Sequence, residues 1–206
     1  MDAAAIKTNA AEIGLTLKIH KVKELQLQVN VIYGGGATTE NSIVALNSQT
    51  IKIAGPEKLL ESLEDVLILG DVDLSGILED TMLTLPVKLP EGVENLSGIT
   101  EVEVSVTFPG LATKTLQVSK IFVSNTPEGM VAKPAEKVRV TVRGPEALIE
   151  TITAENISIL IDLTGCELGE NFCPAQILLD TGYEQVGAIG NYNVLVTLTQ
   201  DVEAAE

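Results

Sequence analysis

A ten-residue phrase written twice limits this chain more than any other feature: AGPEKLLESL at 54–63 returns as RGPEALIETI at 143–152, 89 positions later. Ahead of the second copy Val138, Val140 and Val142 alternate with polar residues, which predicts a strand with one buried face. Gly144 lets the chain leave that strand at an unusual angle. Pro145 suits the first position of a helix, and Glu146 suits the positive end of its dipole. Leu148, Ile149 and Ile152 then share one helical face, as Leu59, Leu60 and Leu63 do in the first copy. Such a helix has only about two turns and does not persist alone, so it must pack on something.

The surroundings repeat as well. Asp73-Leu74-Ser75-Gly76 and Asp162-Leu163-Thr164-Gly165 stand at the same offset of 89, each closing an apolar run. With small gaps, Pro86 answers Pro174, Gly92-Val93-Glu94 answers Gly182-Tyr183-Glu184, and Val102, Val104 and Val106 answer Tyr192, Val194 and Val196. Upstream, KELQL at 23–27 answers KTLQV at 114–118. The chain is a duplication, with repeats at 21–110 and 111–200 and a tail at 201–206.

A unit of that size exceeds the roughly 20–50 residues of solenoid repeats and can bury a small core of its own. Two tandem domains are expected, joined by FPGLATKT at 108–115, whose Pro, Gly and small polar residues read as a linker. Residues 1–20 read either as an N-terminal arm or as the end of a truncated preceding repeat, because Ile13, Leu15, Leu17 and Ile19 alternate as a last strand would. Each repeat shows short alternating strands, one short helix and Gly/Pro turns such as NTPEG at 125–129. One helix cannot supply the crossovers of a doubly wound sheet. The expected class is mainly β, with small barrel-like or rolled-sheet domains, mostly antiparallel.

Thirteen Lys and Arg against 29 Asp and Glu give a net charge of −16, and no basic run is present to neutralise phosphates. Nucleic acid is therefore a poor partner, and three Tyr, three Phe and no Trp leave little for stacking bases. The acidity reads as a solvated surface that keeps sheet edges apart. No apolar run reaches the roughly 18 residues of a membrane span, and the first residues lack the basic start and apolar core of a signal peptide.

Candidate chemistry is sparse, and no catalytic, cofactor-binding or metal-binding residue is assigned. His20 is the sole histidine and reads as structural or surface. Gly34-Gly35-Gly36 follows a strand as phosphate loops do, but ATTENS comes next without the Lys-Ser/Thr signature, so a mobile turn is expected. Asp71 and Asp73 resemble the start of a calcium loop whose twelfth position would be Met82 rather than a bidentate Glu. Asp71 becomes Leu160 in the second copy, whereas Asp73 persists as Asp162; what the duplication kept suits a side-chain-capped turn. Cys166 and Cys173 leave two alternatives open, a disulfide or two unpaired thiols.

Strand, Gly-Pro, short apolar helix, a second strand with Asp-Leu-Ser/Thr-Gly, a Pro-bearing strand and a final alternating strand: in this order the chain resembles the YbbR-like domain, twice over. The resemblance implies domains held outside the cytoplasmic membrane by an N-terminal helix that this chain lacks, and hence an extracytoplasmic fragment. In the similar CdaR-type regulators it implies a membrane-bound diadenylate cyclase, the maker of cyclic di-AMP, as partner. The expected function is thus a non-catalytic regulatory or interaction module, with no cofactor. A structural spacer or envelope-interaction array without an enzyme partner is the alternative. The fold is also similar to part of the L25 family of ribosomal proteins, which raises an RNA-binding rival that the negative charge opposes.

Overall fold

The computed structural model describes residues 20–201; the reading of residues 1–19 and of most of the tail lies outside them. The first repeat runs β1 (Lys21–Ile32), β2 (Ile43–Leu46), β3 (Thr50–Gly55), α1 (Glu57–Ser62), β4 (Val66–Asp73), β5 (Thr81–Pro86), β6 (Glu94–Asn95) and β7 (Glu101–Thr107). The second runs β8 (Leu111–Val118), β9 (Ile121–Ser124), β10 (Met130–Pro134), β11 (Val138–Pro145), α2 (Glu146–Thr151), β12 (Ile157–Asp162), β13 (Gly169–Leu179), β14 (Gly187–Ala188) and β15 (Tyr192–Gln200). The class is mainly β, with one short α-helix in each repeat, as expected.

The two repeats use one strand plan. In the first, the sheets are β4-β1-β3-β6 and β2-β7-β5; in the second, β14-β11-β8 and β10-β15-β13-β12-β9. The parallel pairings are β1 with β4 and β9 with β12, and the remaining pairings are antiparallel. A single strand, β1, with a register shift between Gln28 and Asn30, does in the first repeat what β8 and β9 do separately in the second. Period-two patterning places the core: Val102, Val104 and Val106 of β7 are buried, as are Val194, Val196 and Leu198 of β15.

The repeated phrase forms the strand-to-helix turn its residues predict, with two corrections. Pro56 and Pro145 stand one residue earlier than expected, at the N-cap, with extended ψ of 136° and 135°. Gly144 is there for space rather than for an unusual angle, since its Cβ would meet Val186 Cγ2 at 2.8 Å. The helices pack as required: Leu60 is buried in the first core, and Ile149 and Ile152 in the second. Burying such a side chain contributes about 1.5–3 kcal/mol. The expected linker is not slack either. Phe108 is buried in the first repeat, and residues from Leu111 onward are already strand β8, paired with β11 from Leu111↔Pro145 to Val118↔Val138.

Candidate functional site

The two copies of the phrase differ at their first residue, Ala54 against Arg143. In β11, Val140 and Val142 face the second core, so alternation sends Arg143 to the opposite face. That face is covered by the first repeat. Arg143 is only 1% exposed there.

Four backbone carbonyls of the first repeat receive its guanidinium. Nε donates to Gly35 O at 2.9 Å, Nη1 to Ile77 O at 2.6 Å, and Nη2 to Gly34 O at 3.0 Å and Leu74 O at 2.9 Å. The Phe108 ring lies 4.0 Å below the guanidinium carbon, close enough for a cation–π contact. These partners are carbonyl dipoles and a ring face, with no carboxylate among the hydrogen-bond acceptors. Burial pushes the guanidinium below its ordinary value, but arginine remains charged at neutral pH.

Two close approaches of backbone complete the joint. A Cβ on Gly36, whose φ is +81°, would lie 2.1 Å from Arg143 O, and a Cβ on Gly187 would lie 2.1 Å from Gly36 N. Gly190 N also donates to Ser75 O at 2.9 Å. Beside the joint opens a cleft of about 690 Å³, lined by Glu79, Asp80, Thr115 and Thr141 as well as Phe108 and Arg143. Its Asp80 is already engaged, since Oδ1 accepts from Phe108 N at 2.8 Å. The arrangement holds two folded units in one orientation.

The triple glycine is therefore a turn, closed by Ala37 N donating to Gly34 O at 3.0 Å, but not a free one. The expectation of a mobile turn is corrected: its carbonyls are the seat of a buried cation 109 residues away. Sequence reasoning missed Arg143. The available signal was the Ala-to-Arg change inside an otherwise repeated phrase.

The capped-turn reading of the Asp shared by the two repeats holds. Asp73 Oδ1 accepts from Ser75 N at 2.9 Å; Asp162 Oδ1 accepts from Thr164 N at 2.9 Å, Thr164 Oγ1 at 2.7 Å and Asn125 Nδ2 at 2.8 Å. The Ser75 side chain and backbone at Asp73, and Asn125 with Thr164 at Asp162, hold both carboxyls below the ordinary carboxylate range. Asp71 accepts from Asn30 Nδ2 at 3.0 Å, and Met82 is exposed. His20 is exposed, one residue ahead of β1. Cys166 and Cys173 are free thiols; burial pushes the Cys173 thiol up to about 11, helped by the neighbouring Cys166. Among the described residues no group of three or more His, Cys, Asp and Glu is placed to hold a metal ion.

A second shared device also escaped the sequence. Lys114 Nζ donates to the carbonyls of Ile149, Glu150 and Ile152 at 3.2, 3.3 and 2.7 Å, and Lys23 Nζ reaches Leu60 O at 3.3 Å and Leu63 O. Each lysine closes the C-terminal end of its repeat's helix, where carbonyls are unpaired and negative. Its trace was the lysine heading both KELQL and KTLQV.

No curated protein matches the chain. Among solved structures it is similar to a Streptococcus thermophilus protein determined in solution, at 20% identity over 46% of this chain and 89% of that one, with a TM-score of 0.36. It is similar to the YbbR-like domain of a Listeria monocytogenes protein, at 16% identity over 44% of this chain and 96% of that one, with a TM-score of 0.35. A YbbR-like protein from Streptococcus pneumoniae matches at 15% identity over 91% of this chain and 100% of that one, with a TM-score of 0.30. The family model described as YbbR-like protein matches residues 116–172, which run from β8 into β13. The match to YbbR-like protein thus lies wholly within the second repeat.

Proposed function

We propose that the chain is a non-catalytic regulatory module that acts outside the cytoplasmic membrane, with both repeats YbbR-like and a membrane-bound diadenylate cyclase as partner. The observation that carries this reading is the joint at Arg143. A regulator that works through shape must present its contact surface in a defined orientation and bind one state of its partner better than another. Two β-units free to swivel would lose that orientation. A buried guanidinium shared among four carbonyls of the other unit removes the swivel. A spacer array would use the same stiffness, and the cyclase separates the two.

The test is cyclic di-AMP production by the cyclase reconstituted with the full-length anchored protein, with a form lacking the repeats, and with an Arg143→Ala form. The expected result is output that depends on the repeats and is blunted by the substitution. Output indifferent to the repeats, with no co-purification of the two proteins, would leave the spacer standing. RNA recognition is disfavoured by the charge of −16.

A further inference from the structure

The duplication supplies an internal comparison for surface function, because β1 with β4 and β9 with β12 form the same parallel pairing in the two repeats. Take the pair just ahead of the capped Asp. In the first repeat Asn30 of β1 faces Asp71 of β4, and the two are hydrogen-bonded. In the second the same place holds Phe122 of β9 facing Leu160 of β12. The same parallel pairing thus bears a polar pair in one repeat and an apolar pair in the other.

The change extends across the sheet. Leu160 lies opposite Gln176 in β13, and along β13 the same face carries Pro174 and Phe172; Phe172 lies opposite Leu195 of β15. Phe122, Phe172 and Leu195 are 52%, 76% and 36% exposed. The last strand of the first repeat turns Glu101 and Glu103 outward instead, although Ile68 and Met82 are also exposed there. Two of the three phenylalanines in a chain of 206 residues thus stand in solvent on one face of one repeat. Exposed aromatic clusters of this kind mark docking sites.

We infer that this face of the second repeat, the stripe Phe122, Leu160, Pro174, Phe172 and Leu195, docks a different protein whose contact surface is apolar at its centre and basic at its rim. Charge selects that occupant over a second copy. Asp162, Glu170 and Asp180 border the stripe against Lys120 and Lys133, Lys120 being 4.0 Å from Asp180, and the chain carries −16, so face-to-face self-association would set one acidic body against another. The inference rests on the proposed function, in which that partner is the cyclase.

Two variants of the full-length anchored protein test it. The double change Phe122→Asn with Leu160→Asp installs the pair the first repeat already folds with, and Phe172→Ser removes the most exposed ring. Both should keep the wild-type melting temperature within a few degrees and lower co-purification with the cyclase about tenfold or more. Wild-type binding that both variants retain would overturn the assigned face and leave the regulatory reading intact. A wild type that neither binds the cyclase nor alters its output would overturn both. A concentration-dependent dimer in sedimentation, lost in both variants, would also overturn the inference, because the occupant would be a second copy.

Discussion

The two repeats share a strand plan and differ in how it closes. In the first, β5 has six residues and pairs with β7 alone, the sheets divide between β4 and β5, and the core divides into two clusters of six buried residues. In the second, β13 has eleven residues and pairs with both β12 and β15; five strands join and 14 buried residues form one core. Each repeat still divides into two sheets, the first between β4 and β5 and the second between β8 and β9, so the lengths of β13 and β1 decide where the rolled sheet breaks. The repeat with the divided core also supplies the seat for Arg143, and its Phe108 belongs to the cluster at the joint. The second repeat thus docks against the half of the first core that holds Leu74 and Phe108.

Breaking the joint should have the largest effect. Arg143→Ala leaves four carbonyls without their buried donor and should cost about 3–5 kcal/mol. In thermal or denaturant unfolding the single transition expected of the wild type should split in two, the first repeat melting earlier. One unchanged transition would show that the repeats are not coupled through this residue. Arg143→Lys should rescue little, because an ammonium lacks the planar fork.

Gly36→Ala attacks the joint from the other side. Its Cβ would lie 2.1 Å from Arg143 O at a φ of +81°, so a loss of about 2–4 kcal/mol is expected, smaller than that of Arg143→Ala because loop backbone can shift. Gly76→Ala, where nothing lies within 4 Å of the new Cβ, is the control and should be close to neutral in the same melting experiment.

The lysine caps sharpen the comparison further. Lys114→Met removes bonds to three carbonyls and should cost about 1–2 kcal/mol, whereas Lys23→Met removes bonds to two and a 2.9 Å ion pair with the exposed Asp65, which is worth little, and should cost less. Equal costs would mean that both lysines stabilise chiefly by packing their stems.

Acid should separate the repeats by the smallest margin. The folded Asp73 and Asp162 carboxyls sit below their unfolded values, so their stabilisation is present above the ordinary carboxylate pKa of about 4 and fades as pH falls through the lower folded value. Asp162 accepts from Asn125 and twice from Thr164, so the second repeat should be the more acid-sensitive, and Asp162→Asn should flatten its melting profile below about pH 4. The thiols offer a separate check. Native Cys173 should resist alkylation at pH 8, and the unfolded, unreduced protein should take up one alkyl group at each cysteine; uptake of none would mean that the pair is bridged.

Local features were legible from the residues. The Gly-Pro phrase, the helical face of Leu60 and Ile149, and the Asp ahead of Ser/Thr-Gly depend on contacts within a few positions, and duplication printed each of them twice. Arg143 was not legible, since its partners Gly34, Gly35, Leu74 and Ile77 lie 66–109 residues away and contribute carbonyls, which every residue possesses. The mobile reading of Gly34-Gly35-Gly36 failed for the same reason: glycine marks a turn equally well whether it is free or abuts another chain segment. The lysine caps were hidden because their acceptors are also backbone.

The sequence by itself determined that this chain is a duplicated, mainly β, strongly acidic molecule with a short helix in each repeat, because periodicity, turn chemistry and charge act locally or additively. Only the tertiary structure decided that β13 unites five strands, that the glycine turn is the seat of a buried arginine, and that an apolar stripe stands on one repeat and not on its copy. These depend on which distant strand edges and faces meet, and such meetings are set by packing of the whole chain rather than by any window of it.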